Sequence, residues 1–202
     1  MQASREPTRV LAHPGDHVVA GAVRVALLGL RRSALHPEPD VDLAASVGGM
    51  TRRVTILSRK GVEIHGPGGE SVAVARVDAK RGAASLIGPG AALHEGAGQG
   101  DAPQRPAELS TLALKVTPGW TIEWQGAPLL TIAGSGSLHG GRHIGLKLRL
   151  GPLELLVPLD ARVCVDGAFF LDVNRVGRSQ ARIGLASTGE RDFRAHRPDR
   201  AA

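Results

Sequence analysis

The chain has 202 residues, of which 42% are hydrophobic, so it is long enough to bury a core and too apolar for an intrinsically disordered protein. Aromatic residues make up only 2% and tyrosine is absent, which disfavours a stacking platform for single-stranded nucleic acid. The net charge of +6 is concentrated in residues 175–202, where seven arginines face three acidic residues, so the near-neutral body does not have the charge of a nucleic-acid-binding surface.

The cellular location is predicted from the cysteine content and from the absence of long apolar runs. Cys164 is the single cysteine, so no internal disulfide can form, which agrees with a reducing compartment. No apolar run approaches the roughly 18 residues of a membrane span. The N-terminus lacks the basic, apolar and small-residue regions of a signal peptide. We therefore expect a cytoplasmic protein without a transmembrane segment.

The N-terminal part of the chain predicts strands with one long interruption. Residues 1–16 are polar with two prolines, which predicts an irregular arm. The apolar stretch 18–30 fits a helix or a strand, but its glycines favour a strand. Two prolines in HPEPDVD predict a linker or a long loop over residues 31–50. Period-two runs around Val54 and after Val72 then predict further strands.

The whole chain divides into two β-rich halves. We expect an irregular arm at 1–16, a β-rich half at 17–87, a Gly/Pro-rich linker at 88–107, a second β-rich half at 108–186, and a disordered basic tail at 187–202. Both halves place strand runs around glycine-rich turns. An internal duplication is compatible with this organisation, but the two sequences do not align convincingly.

The longest regular pattern lies in the second half. HIGLKLRL, residues 143–150, alternates apolar and polar residues as a half-buried strand does. Asp166-Gly167 separates two alternating runs, and an Asp-Gly pair in this position is typical of a type I′ turn. We therefore predict a β-hairpin over Ala161–Asn174.

Two histidines and a glycine-rich stretch are the first candidates for chemistry. His139 and His143 are four residues apart and could ligate a metal from one helix face, but the adjacent glycines disfavour a helix and no third ligand is near. GSGS at 134–137 lacks the spacing of a phosphate loop, a nucleophile elbow or a dinucleotide fingerprint. Exposed loop histidines and a turn between strands are the favoured interpretations, and no cofactor is predicted.

Cys164 is the third candidate for chemistry. It could act as a nucleophile with His139 or His143 as its base. Its position between Val163 and Val165 in a predicted strand favours a small apolar side chain in the packing.

An arginine series is the candidate anion-binding site. Arg175, Arg178 and Arg182 have near-helical spacing and could contact phosphates or acidic lipids. A solubilising segment is the favoured alternative, but an acidic partner of this region stays a hypothesis.

Part of the second half resembles one repeat of a known family. The resemblance, over about residues 124–176, is carried by GAPLL at 126–130, GSGSL at 134–138, IGLKL at 144–148, and VDG followed by FFL at 165–171. This pattern resembles the altered-inheritance-of-mitochondria family, whose β domain is similar to the tryptophan RNA-binding attenuation protein. Pro152 and Pro158 depart from the family's pattern. The resemblance implies stacked β-sheets, frequent self-association and no catalytic residues to carry over.

The combined patterns predict an all-β protein, either a sandwich or stacked antiparallel sheets. We expect a non-enzymatic scaffold or binding module that forms a homo-oligomer through exposed strand edges or an aliphatic face. Two other hypotheses stay open. One is binding of nucleic acid or an anionic surface through the arginine-rich C-terminal segment. The other is an enzyme with an unrecognised site near His139, His143 and Cys164.

Overall fold

The all-β fold is confirmed by a computed structural model. The structure describes residues 11–33, 36–57, 61–78, 83–88, 93–94, 109–116, 118–138, 141–159, 161–166, 169–172, 181–186 and 193–197. Within these ranges all regular elements are strands, and they form two antiparallel sheets that pack face to face. No helix in this part of the chain has the length and hydropathy needed to span a membrane.

Eighteen strands are described, nine in each half of the chain. Those of the first half are β1 Leu11–Ala12, β2 His17–Ala20, β3 Val23–Ser33, β4 His36–Val47, β5 Met50–Leu57, β6 Val62–His65, β7 Ser71–Asp78, β8 Ala83–Ile87 and β9 Leu93–His94. Those of the second half are β10 Leu109–Val116, β11 Thr121–Trp124, β12 Ala127–Leu138, β13 His143–Leu150, β14 Leu153–Pro158, β15 Arg162–Val165, β16 Phe169–Asp172, β17 Ala181–Ala186 and β18 Phe193–His196.

Each sheet contains strands from both halves. Sheet A has the order β1-β8-β7-β6-β14-β13-β12-β11-β18, and sheet B has the order β10-β17-β16-β15-β5-β4-β3-β2-β9. The halves meet where β6 pairs with β14 in sheet A and where β15 pairs with β5 in sheet B. Each half is thus a small sandwich, and the two sandwiches are joined edge to edge into continuous sheets.

The two halves have the same topology. If β1–β9 are matched in order with β10–β18, the strand order of sheet A becomes the strand order of sheet B. Matching the first half with the second in this way therefore also matches sheet A with sheet B. The sequences align poorly because equivalent positions share little beyond turn residues and the period of apolar side chains.

Each half contains a Pro-Gly turn that makes the same backbone hydrogen bond. Gly15 follows a proline and donates its N–H to the carbonyl of Leu27 at 2.7 Å, and Gly119 does the same to Ile132 at 2.7 Å. The φ angles of the two glycines are 95° and 91°, in the region that favours glycine. The shared contact fixes the equivalence of β2 with β11 and of β3 with β12.

The hydrophobic core lies between the sheets. The buried cluster draws on both halves and consists almost entirely of valine, leucine, isoleucine and alanine. Strands β2, β3 and β4 of sheet B pack against β7 and β8 of sheet A in the first half. Fully buried members from the two halves include Val25, Leu43, Ile132 and Leu148. Burying one such side chain contributes roughly 1.5–3 kcal/mol. Aliphatic residues thus supply the buried cluster, and Trp120 packs against it from a partly buried position.

The prediction of a loop over residues 31–50 is wrong, because His36–Val47 forms strand β4. This strand pairs with β3 over its length, but its register with β5 begins only at Val41. The two prolines lie before that point, where β4 lacks β5 as a second partner, and a proline is tolerated in a strand with one free edge. The strand interpretation of residues 18–30 is confirmed by β2 and β3.

Three short strands lie in segments that we expected to be irregular. Leu11–Ala12 lies in the arm, Leu93–His94 in the linker, and Phe193–His196 in the tail. Each pairs with a neighbouring strand at one edge of a sheet, and two to four residues are too few for a periodic pattern. Residues 1–10, 95–108 and 198–202 lie outside the described ranges.

The predicted hairpin over Ala161–Asn174 is confirmed by the pairing of β15 with β16. Its loop is longer than a type I′ turn, since Val165 pairs with Phe169 and leaves three residues between the strands. Asp166, the first of these, has a φ of 50°. The interruption at 151–152 is a two-residue turn between β13 and β14, with Gly151 at φ 59°, which fits a type II′ turn.

Candidate functional site

A buried carboxylate lies one strand away from the junction of the halves in sheet B. Asp42 lies in β4, and its side chain has no exposure to solvent. It accepts hydrogen bonds from Arg53 Nη2 at 2.7 Å, from Arg53 Nε at 3.2 Å to both oxygens, and from the Thr55 hydroxyl at 3.0 Å. A fully buried charge needs such partners, because an uncompensated one costs several kcal/mol. Asp42 therefore ties β4 to β5 next to the junction.

A second carboxylate crosses the junction itself. Asp166, at the end of β15, accepts hydrogen bonds from the Arg52 guanidinium at 2.8 Å and from the Arg53 backbone N–H at 2.9 Å. Its own N–H donates to the Arg53 carbonyl at 2.9 Å. Asp166 and Arg53 are 113 residues apart in the chain. These bonds therefore fix the register of the second half against the first.

The equivalent position in sheet A carries an ion pair of reversed polarity. Glu154 of β14 contacts Lys147 Nζ at 3.5 Å and Arg149 Nη2 at 3.8 Å. The equivalent registers match Lys147 with Asp42 and Glu154 with Arg53, so acid and base have changed places. The pair in sheet A is more exposed, and Lys147 is 40% accessible to solvent.

His65 occupies the position in sheet A that Asp166 occupies in sheet B. It is the register partner of Glu154 across the junction. Its ring contacts the Glu63 carboxylate at 3.3 Å and the Gly69 carbonyl at 3.2 Å. The contacts given for His65 stay within the first half and those of Glu154 within the second. The side-chain bonds that cross from one half to the other are those of Asp166 in sheet B.

The residues proposed for catalysis lie on different sheets. Cys164 is buried in β15 of sheet B, and the flanking Val163 and Val165 belong to the core, so the cysteine points to the outer face. His143 begins β13 of sheet A, whose core residues are Leu146 and Leu148, so alternation directs His143 to the opposite outer face. Packed sheets are about 10 Å apart, so the two side chains do not converge. His139 lies outside the described residues.

The metal and anion candidates are only partly described. Among the described residues, no group of three or more histidine, cysteine or acidic side chains is placed to hold a metal ion, but His139 is not among them. Arg175 and Arg178 also lie outside the described residues. Arg182 lies in β17, where its backbone is in register with Asp172 and Lys115. The anion-binding hypothesis therefore stays a prediction.

The buried ion pair of Asp42 and Arg53 was missed in the sequence. Asp42 lies in the stretch whose two prolines predict a loop, and a loop gives it no partner strand. The pair Gly48-Gly49 is a two-residue turn that would have placed residues 42 and 55 opposite each other. A glycine pair between two alternating runs is the pattern from which this hairpin could have been predicted.

The ends of the sheets offer open backbone edges. Sheet B ends at β10 and β9, and sheet A ends at β1 and β18. Strand β10 is eight residues long and is bonded to β17 on one side, and no described strand lies on its other side. An edge strand presents unpaired N–H and C=O groups that can pair with another chain.

Exposed apolar side chains do not form a patch in the part of the chain that the structure describes. Among the described residues, the large hydrophobic side chains with high exposure are Val19 at 39% and Ile144 at 44%. They lie on different sheets, since Val19 is in β2 and Ile144 is in β13. Two separate side chains do not make the contiguous patch of several hundred Å² that marks an apolar interface.

Comparison with protein-family models, curated proteins and solved structures finds no match for this chain.

Proposed function

We propose that the chain is a non-enzymatic β-rich scaffold or binding module that self-associates through its open strand edges. The observation that supports this most directly is β10, an eight-residue strand at the edge of sheet B with one described partner. Short edge strands, edge prolines and edge charges are the usual devices against pairing between chains. The sequence of β10, LSTLALKV, has one charge and no proline.

The chemistry of the described residues supports a binding role over an enzymatic one. The charged groups at and beside the two junctions take part in ion pairs or hydrogen bonds within the protein. Cys164 and His143 face away from each other on separate sheets. A nucleophile and its base need to lie within about 3 Å of each other in a catalytic arrangement. Self-association needs only a surface, and the sheet edges supply one.

The proposal is tested by light scattering of the purified full-length chain over a hundredfold range of concentration. We expect a mass that is a defined multiple of 21.0 kDa and is unchanged by high salt, because backbone pairing and apolar contact are weakly screened. A mass of 21.0 kDa at every concentration would overturn the proposal. Association that disappears in high salt and requires nucleic acid would favour the arginine-rich segment as the binding site.

A further inference from the structure

Two histidines lie opposite each other on the last pair of strands in sheet B. His17 of β2 is the register partner of His94 of β9, the strand that ends the sheet on this side. Val18 is completely buried in the core, so alternation places the positions of His17 and His94 on the outer face of the sheet. Directly opposite positions on antiparallel strands have Cβ atoms about 4.5–5.5 Å apart. Two imidazoles at that spacing can ligate one metal ion, because a Zn–N bond is about 2.0–2.1 Å long.

The His17 ring is held by the turn that precedes β2. Its Nδ1 lies 3.3 Å from the Gly15 carbonyl oxygen, which can only accept a hydrogen bond, so Nδ1 carries the proton. In the neutral ring the lone pair is then on Nε2. The turn itself is fixed to β3, since the Gly15 N–H donates to the Leu27 carbonyl at 2.7 Å and the Asp16 carbonyl accepts from the Leu27 N–H at 2.8 Å. Metal-binding histidines commonly donate their second ring nitrogen to a carbonyl in this way.

The second half repeats this arrangement with one of the two histidines replaced. The shared Pro-Gly turn matches Gly15 with Gly119, and therefore His17 with Thr121. Thr121 is the register partner of His196 in β18, the strand that ends sheet A. The histidine of the edge strand thus occurs in both halves, whereas its partner is a histidine only in the first. The second half is therefore an internal control, with the same backbone register and half of the ligands.

We propose that His17 and His94 together bind a divalent transition-metal ion such as Zn²⁺, with water in its remaining positions. Imidazole nitrogens suit zinc, copper and nickel, whereas calcium and magnesium prefer oxygen ligands. Two protein ligands leave the ion with open positions, since zinc in proteins is usually four-coordinate. Bound metal joins the two-residue strand β9 to β2 and so fastens the edge of sheet B. Both ligands belong to one chain, so the site is independent of the proposed self-association.

Zinc binding is measured on the full-length chain without a purification tag, after treatment with EDTA, by competition with a chromophoric chelator. The chain has eight histidines, so matched variants are needed to separate this pair from general surface binding. We expect one zinc ion per chain. His17→Thr, which copies the second half, and His94→Gln should each weaken binding roughly a hundredfold, because a single imidazole lacks the gain from chelation. His143→Gln, at the start of β13 in sheet A, is the control and should bind zinc as the unmodified chain does.

The reverse substitution gives a second test. Thr121→His places a histidine opposite His196 and should raise the stoichiometry from one zinc ion per chain to two. Far-UV circular dichroism of each metal-free variant shows whether the strand content is kept, so that a loss of binding reports the loss of a ligand. Zinc should also raise the Tm of the unmodified chain and leave the Tm of His17→Thr unchanged, since an ion that binds the folded chain stabilises it.

The outcomes that would overturn the site are distinct from those that bear on self-association. Equal zinc affinity of His17→Thr and the unmodified chain would mean adventitious surface binding only, and so would an equal loss of affinity in His143→Gln. A stoichiometry of one in a folded Thr121→His variant would overturn the register argument on which the pair depends. Self-association is measured separately, by the mass of the metal-free chain in light scattering.

Discussion

Asp42 and Lys147 occupy the same position in the two halves of the fold. Asp42 is the register partner of Gly29, and Lys147 is the register partner of Gly134, in each case directly after a one-residue bulge. Each then binds an oppositely charged residue on the next strand, Arg53 or Glu154. The two halves thus place an ion pair at the same position with opposite polarity. The pair in the first half is the more deeply buried of the two.

Burial predicts unequal effects of breaking the two pairs. Arg53→Gln leaves the Asp42 charge buried with one remaining hydroxyl donor and should lower the free energy of unfolding by about 3 kcal/mol. Lys147→Gln, the matched control, breaks a more exposed pair and should cost less than about 1 kcal/mol. Urea unfolding of both variants measures the difference. Equal losses of stability in the two variants would contradict the effect of burial. The double variant Asp42→Asn, Arg53→Gln should recover part of the stability lost in Arg53→Gln.

A glycine in β13 is required by the packing on the outer face of sheet A. A Cβ at Gly145 would lie 2.3 Å from Leu138 Cδ1 and 2.4 Å from the Val157 carbonyl oxygen, and that backbone oxygen cannot move aside easily. Gly145→Ala should destabilise the protein by about 2 kcal/mol through overpacking. Gly29→Ala is the control, since nothing lies within 4 Å of its added Cβ. Thermal unfolding should show a lower Tm for the first variant only.

We expect a substitution in the edge strand β10 to change the assembly of the protein without changing its free energy of unfolding. Thr111 lies within β10, the edge strand of sheet B. Thr111→Lys should weaken pairing between chains, because a lysine on an edge strand disfavours a new partner strand. Ser135→Lys, at an exposed position of the interior strand β12, is the control. Light scattering should show dissociation at higher concentration for the first variant alone.

The anion-binding hypothesis makes its own prediction. Replacing Arg175, Arg178 and Arg182 with glutamine should weaken binding to a polyanion such as heparin and should make the binding less dependent on salt. Arg149→Gln removes a single exposed charge from β13 and is the matched control. Retention on a heparin column at several salt concentrations measures both. Identical retention of the triple variant and the control would exclude these arginines as the site.

The strand content could be predicted from the sequence because period-two alternation is local. HIGLKLRL and the runs around Asp166 show it clearly, and both became strands. Strand β4 was not predicted because the two prolines among its first residues are typical of a loop. The strand order could not be predicted, since the pairing of β6 with β14 joins Glu63 to Leu156 and depends on the packing of both halves.

The candidate chemistry was harder to predict than the fold. The alternation of residues in β15 and β13 is visible in the sequence. This alternation does not show that Cys164 and His143 lie on different sheets. The ion pair of Asp42 and Arg53 depended on a hairpin that the proline-based interpretation had excluded. Residues that act together at the junction, such as Arg53 and Asp166, lie 113 positions apart and share no local pattern.

The pairing of β5 with β15 also determines when the protein can fold during its synthesis. Leu57 is the register partner of Arg162, so β5 leaves the ribosome about 105 residues before its neighbour exists. At roughly 5–20 residues per second, the first half spends on the order of 5–20 s with β5 as an open edge of its sheet. Neighbouring ribosomes on one message present the same edge at the same time. A slower rate of synthesis should therefore lengthen the time during which this edge can pair with other chains.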